Sequence, residues 1–394
     1  MSLASPLRVL VAGGGVAGVE TLLGLHALAG DRVDLTLLTP ETTLIDQPAS
    51  VQVPFGYGRP RRIPLTTVAE HAHARVVPES LAGVTPESHR VTTEDGRSID
   101  YDVLVIATGA RQGEPLPGAL TFRGTRSAED FRQLLSDLNT GRAHRVVFAV
   151  PSGTSWTLPL YELALGTSAR LRTLGVATAD LTITTPEESA LELFGTTASR
   201  RVEELLVDAR VDLIVRSHAT AVEAGGLVLT PERRVPADRV VTLPRLTGPA
   251  IPGLAHDAEG FLETDLHGQM RRVPDVYAAG DVTTFPIKQG GLAAQQADAL
   301  AEAIAARAGA DVDPMPFHPV LRGQLLVGRA QRFLEAAIGG GAGDVSRFES
   351  VALWWPPVKV VARHLGTYLE GVASASEPPD DERIPVVAAG GHAG

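Results

Sequence analysis

The sequence predicts an α/β chain of two tandem units of one kind, followed by a smaller α+β unit. Three observations predict it. Near the N-terminus a strand, Arg8–Ala12, runs through a glycine turn, Gly13–Gly18, into a helix, Val19–Leu28. From about Gly113 the succession returns: strand Arg145–Val150, a turn, helix Leu158–Leu165, a second strand, a Thr-Pro-Glu and a meander. The chain then resumes the first unit, with strand Asp275–Ala279, Gly280-Asp281 and an Ala-rich helix from about Gly291 to Arg307. Two copies of one strand–turn–helix design explain so long a repeated order most simply. The expected division is 1–112 with 245–313, then 113–244, then 314–373, with a mobile tail over 374–394.

The first turn carries the strongest signal. Gly13, Gly15 and Gly18 stand at the spacing G-x-G-x-x-G between strand and helix, the context this motif requires. One glycine makes the tight turn, one lets backbone approach a pyrophosphate, and one lets helix and strand pack closely. The helix N-terminus then presents amides to the phosphates. The unit therefore reads as a Rossmann-like dinucleotide-binding domain. Its second strand ends in Thr39-Pro40-Glu41. Glu41 is either a ribose ligand or part of a cap, and Thr-Pro-Glu recurs at Thr85–Glu87, Thr185–Glu187 and Thr230–Glu232, which favours the cap. A hairpin around Asp95-Gly96 precedes the buried strand Val103–Ala107, which ends in Thr108-Gly109.

The second turn reads Pro151-Ser152-Gly153-Thr154-Ser155-Trp156. It keeps one glycine of the pattern. Hydroxyls and backbone amides there can still bind phosphate, but Trp156 adds bulk where close approach is needed, and a core or interdomain packing role is the better reading for it. Thr185-Pro186-Glu187-Glu188 reads as a capping box before a helix over Ala190–Ala209. The third unit has two strand-like segments, a glycine loop at Gly339–Gly343 and the stretch "LWWPPVKVVARHLGTYLEGV". Val358, Val361, Leu365, Tyr368 and Leu369 recur there at helical spacing. Packing on the first unit or a second subunit is the favoured reading of that face, ahead of contact with a membrane surface.

Composition bounds the rest. The 394 residues, 44% hydrophobic and 21% charged, are those of a globular protein with a sizeable core. A net charge of −11 argues against a general nucleic-acid binder. No stretch approaches the roughly 20 apolar residues of a membrane span. A strand within a few residues of Met1 leaves no room for a signal peptide, so a cytoplasmic location is expected. There is no cysteine, which removes disulfides, thiolate nucleophiles and Cys-held metals; no metal site is expected. Only two lysines occur, Lys288 and Lys359.

Three motifs, "VAGGGVAGVE", "YDVLVIATGA" and "VYAAGDVT", resemble in order and spacing the flavoprotein oxidoreductases with two dinucleotide-binding domains. "LLTPETTLIDQPAS" and "FPIKQGGLAAQQAD" are most similar to the branch of sulfide:quinone oxidoreductase, flavocytochrome c sulfide dehydrogenase and type II NADH dehydrogenase. The resemblance implies a three-layer, glutathione reductase-like fold with FAD in the first unit. Gly13, Gly15 and Gly18 would hold its pyrophosphate, with Thr39 and Glu41 near its ribose. Ala107, Thr108 and Gly109 would line the adenosine half. Asp281, after Gly280, would accept from a ribityl hydroxyl, and Pro48 would lie near the isoalloxazine. Gln289 and Gly290 would lead into a helix whose N-terminus faces the flavin, with the charge of Lys288 beside it.

The resemblance further implies NAD(P)H at Pro151, Ser152 and Gly153, with Glu162 as a neighbour of the nicotinamide. The expected activity is NAD(P)H:acceptor oxidoreduction by hydride transfer to flavin N5, the acceptor being a quinone or another small molecule. Without cysteine, persulfide formation and disulfide reduction are excluded. Two alternatives remain open: a flavoprotein fed by a non-nicotinamide donor or partner protein, and a non-catalytic flavin-binding sensor. Peripheral membrane contact is compatible with the branch, and a homodimer is expected.

Overall fold

The structure is a computed structural model that describes residues 5–338 and 346–376, with side chains to Val372. The glycine loop expected at Gly339–Gly343 lies outside the described residues. So does the expected tail beyond 376; its first residues, from Ser374, belong to the helix Arg363–Ser376.

Five short apolar runs form the first sheet. Its order is Val276–Ala278, Val103–Ile106, Leu7–Ala12, Val33–Leu38, Arg75–Val77, and every pairing is parallel. Parallel strands are buried on both faces, so their residues sort by parity. Val9, Val11, Leu35, Leu37, Val103 and Val105 face the helices Val16–Ala29 and Gly290–Arg307. Leu10, Ala12, Leu38, Leu104 and Ile106 face the antiparallel meander Leu81–Thr85, Arg90–Thr93, Ser98–Asp100. The result is three layers.

The second unit repeats the plan. Its sheet runs Leu120–Thr121, Arg239–Thr242, Arg145–Ala149, Asp180–Thr184, Val211–Ile214, again all parallel. Val147 and Ala149 face the meander His218–Glu223, Gly226–Thr230, Arg233–Pro236, while Val146 and Phe148 face the helix layer. The chain crosses between the units along an antiparallel ribbon, Arg111–Gly113 with Arg245–Thr247.

Three antiparallel strands follow: Val320–Val327, Ala330–Ala337 and Ser346–Glu349. They lie on the helix Leu158–Thr173, so closely that a Cβ on Gly323 would stand 2.9 Å from Leu158 and 2.5 Å from Phe194. The chain then returns to the first unit. Leu365 joins the core of the helix Val16–Ala29, with Tyr368 and Leu369 packed beside it. The expected apolar face is therefore half right: Val358 and Val361 precede the helix, and Val358 is exposed.

One helix is misjudged from sequence. Ala190–Ala209 resolves into a single turn, Glu192–Phe194, and a helix, Gly195–Asp208. The capping box does not form, because the Thr185 hydroxyl turns onto the Glu187 carboxylate (2.7 Å) and takes the Glu187 N–H (3.2 Å). Conversely, the first helix starts at Val16, inside the glycine motif.

Candidate functional site

A cavity of about 1210 Å³ runs from the first glycine turn to the second turn and on to the C-terminal segment. Its first wall is the strand end and helix start at Gly13–Ala17. Gly13 has φ +120°, and a Cβ on it would stand 2.2 Å from the Ala107 carbonyl oxygen. A Cβ on Gly18 would stand 1.9 Å from the Gly13 carbonyl oxygen. Beyond Gly15, by contrast, nothing stands within 4 Å. Close packing behind the turn and open space in front of it are what the spacing requires. Val19 makes the first N–H bond of the helix, to Gly15 at 3.0 Å, so the amides of residues 16–18 are left for a ligand.

Around this wall stand Pro48, Glu41, Ala107, Thr108, Gly109, Gly280, Asp281 and Gly290, all lining the cavity. Thr39 does not line it. It is fully buried behind Gly14 and donates its hydroxyl to Glu41 at 2.6 Å. No helix follows Glu41 but a strand, Thr43–Ile45, so of the expected helix or turn cap only the turn forms, with the Glu41 N–H donating to the Thr39 hydroxyl at 3.3 Å. Gln289 lines the cavity but spends its side chain elsewhere. Its Oε1 caps the helix Gly290–Arg307 through the Leu292 N–H (2.8 Å), and its Nε2 donates to the Arg322 carbonyl (3.2 Å).

Asp281 and Lys288 form the charged part of the wall. Burial pushes the Asp281 carboxyl up, against the pull of Lys288. Burial in turn brings the Lys288 ammonium down to about 8, against the nearby carboxylates of Asp281, Asp257 and Glu259. Lys288 is held in place: it lies 3.9 Å over the ring of Phe261 and donates to the Thr283 carbonyl.

The second turn differs from the first. Eight residues, 150–157, separate the strand Arg145–Ala149 from the helix Leu158–Thr173, against three in the first unit. Gly153, at φ +81°, lines the cavity with Thr154, Ser155 and Trp156. Pro151 and Ser152, expected to bind nucleotide, do not line it: Pro151 is buried, and Ser152 bonds His218 Nδ1 at 3.1 Å. The Ser155 hydroxyl donates to the Pro286 carbonyl. Trp156 packs against Phe194, ring centroids 5.9 Å apart, in the expected packing role.

Glu162 is the clearest correction. It is buried, lies off the cavity wall, and accepts from Lys359 at 2.5 and 2.7 Å and from the Leu326 N–H at 2.9 Å. Its carboxylate is turned to the third unit and does not face the cavity, where the expected neighbour of a nicotinamide would stand. Lys359, its partner, lines the cavity beside Arg322, Gln324 and Val360. Sequence reasoning misses these cavity residues of the third unit; the only signal was the rarity of lysine. Burial pushes the Glu162 carboxyl up, opposed by the Lys359 charge.

Comparison with known proteins agrees with this architecture. The family model described as "Pyridine nucleotide-disulphide oxidoreductase" matches residues 7–303. The sulfide-quinone reductase of Aquifex aeolicus is 26% identical over 299 residues, covering 71% of this chain and 69% of that protein. An NADH dehydrogenase-like protein of Mycobacterium tuberculosis is 29% identical over 297 residues, covering 70% and 72%. The crystal structure of the sulfide:quinone oxidoreductase from Aquifex aeolicus superposes with a TM-score of 0.80 at 22% identity, over 93% of this chain and 90% of that one, a likeness of fold. Among the described residues, no helix is long and apolar enough to cross a membrane.

Proposed function

Because the chain belongs to the pyridine nucleotide-disulphide oxidoreductase family, we propose that it carries electrons from NAD(P)H through FAD to a quinone or another small acceptor, without any cysteine step. FAD and NAD(P)H are the cofactors of that family. The observation that supports the reading is the single cavity touched by the glycine turn of the first unit, the second turn, and the C-terminal segment around Lys359. Donor, cofactor and acceptor then share one enclosure.

The residues present fit a dinucleotide. The open face of Gly15 and the amides of residues 16–18 would take the pyrophosphate, and the packed faces of Gly13 and Gly18 keep the turn tight. Glu41, on the wall, is placed for a ribose hydroxyl, and Ala107–Gly109 for the adenosine half. Among the described residues the Asp281 carboxylate accepts no hydrogen bond, it lines the cavity, and a ribityl hydroxyl would suit it. Bound FAD would supply two-electron chemistry that no side chain of this protein can. The residues themselves bind, orient and set charge. The helix Gly290–Arg307 points its N-terminal half-charge at the cavity, and Lys288 adds a cation that holds its proton up to about pH 8.

Persulfide and disulfide chemistry need a thiolate, and the chain has none. The reading therefore departs here from sulfide oxidation through cysteine persulfides. The experiment is anaerobic mixing of the FAD-loaded protein with NADH, NADPH or sulfide while the flavin absorbance is followed, then addition of a short-chain quinone. Saturable bleaching by a nicotinamide and recovery on quinone are the expected results. Bleaching by sulfide alone would replace this function with another.

A further inference from the structure

Both units end their second strand in Thr-Pro-Glu, and the two glutamates face opposite ways. Glu41 is exposed and lines the cavity. Glu187 is buried and lies off the cavity. It accepts the Thr157 hydroxyl at Oε1 (3.0 Å), and at Oε2 the hydroxyls of Tyr161 (3.0 Å) and Thr185 (2.7 Å). Thr157 is the residue that precedes the helix Leu158–Thr173, and Tyr161 is in its first turn and a half. Glu187 thus spends its carboxylate inward, on three side-chain hydroxyls, whereas an acid at the end of this strand would take the adenosine ribose of a dinucleotide.

The turn before the helix is altered as well. Pro159, at the second helical position, has no N–H to give. Ser152 is tied to His218, and Ser155 to the Pro286 carbonyl. The cavity touches Gly153–Trp156, Leu158 and Pro159 but not Pro151, Ser152 or Glu187. A donor entering it reaches the loop and stops short of the strand end, where an adenosine would lie.

We infer that the second unit recognises only the nicotinamide-side half of its donor, because Glu187, at the strand end where an acid would meet the adenosine ribose of a dinucleotide, is turned inward and its carboxylate is taken by protein hydroxyls. Reduced nicotinamide mononucleotide is then as good a donor as NADH, and the 2′-phosphate of NADPH makes no difference. This rests on the pyridine-nucleotide donor reading above.

The test uses the full-length, FAD-loaded protein. Anaerobic flavin reduction is measured with NADH, NADPH and reduced nicotinamide mononucleotide. Binding of ADP-ribose and of oxidised nicotinamide mononucleotide is measured separately by calorimetry. The expected result is three second-order reduction rates within tenfold of one another, heat from the mononucleotide, and none from millimolar ADP-ribose. A preference for NADH over its mononucleotide above tenfold, or saturable ADP-ribose binding, overturns the inference and leaves the donor reading standing. If none of the three donors reduces the flavin, the donor reading fails and the inference with it.

Discussion

Lys288 shows how one residue sets the character of the cavity. Its ammonium is pressed over Phe261 and donates to the Thr283 carbonyl, which holds the charge at the cavity wall. Burial lowers its ammonium to about 8. Below that pH the cavity holds a fixed cation, which favours added negative charge; above it the cation is lost. The midpoint potential of bound FAD should therefore fall as pH rises through about 8, beyond the ordinary proton-linked slope. Lys288→Met should lower the potential at pH 7 by tens of millivolts, about 30 mV for each ~1.4 kcal/mol of lost stabilisation. Above about pH 9 the variant and the parent should converge. Spectroelectrochemical titration of both proteins across this range measures it, and parallel curves would show that Lys288 is only a packing residue.

At the scale of elements, the third unit is fastened to the second by charge inside an apolar contact. The helix Leu158–Thr173 contributes Glu162, the strand Val320–Val327 the Leu326 N–H, and the segment before the last helix Lys359. Removing one member of such a pair leaves an uncompensated buried charge, whereas removing both need not. Glu162→Ala should cost about 3–5 kcal/mol in denaturant unfolding, while Glu162→Leu with Lys359→Met should recover most of it. Equal losses in the single and double variants would mean that packing, not charge, holds the contact. This pair also marks where sequence reading stops. Gly13, Gly15 and Gly18 are legible because their spacing alone dictates a turn, and local sterics enforce it. Glu162 and Lys359 lie 197 residues apart, and no local pattern joins them. Thr-Pro-Glu fails for a related reason. The same tripeptide closes a turn on the cavity wall at Glu41 and turns its acid inward onto the Thr157 and Tyr161 hydroxyls at Glu187, because the surrounding packing decides which way the carboxylate turns.

The whole molecule is closed by a second set of buried acids, which joins the chain's two ends. Glu20, fully buried in the helix Val16–Ala29, accepts the N–H groups of His364 and Leu365 at 2.7 Å each and so caps the C-terminal helix. Asp298, from the helix Gly290–Arg307, faces Glu20 and is raised to about 8, first by burial and then by the Glu20 charge. Arg363 bonds Glu302 at 3.0 Å across the same contact, and His364 Nε2 stands 3.9 Å from Asp298. Burial lowers the His364 imidazole. The two shifts act oppositely on stability. A carboxyl raised in the fold stabilises below its unfolded pKa, and that contribution is lost as pH rises from about 4 to about 8. A histidine lowered in the fold favours folding as pH rises, but only up to its unfolded value near 6.5. Between about pH 6.5 and 8 the carboxyl acts alone at this contact. Stability should fall there by up to about 1.4 kcal/mol per pH unit, and Asp298→Asn should flatten that slope. Urea unfolding of both proteins at pH 6.5, 7.25 and 8 measures the difference, and identical slopes would place the protonated acid elsewhere. Since the helix that carries Asp298 starts at the cavity with Gly290, and the helix that carries Glu20 starts at the glycine turn, the contact that holds the helix Arg363–Ser376 also braces both helix N-termini that face the cavity.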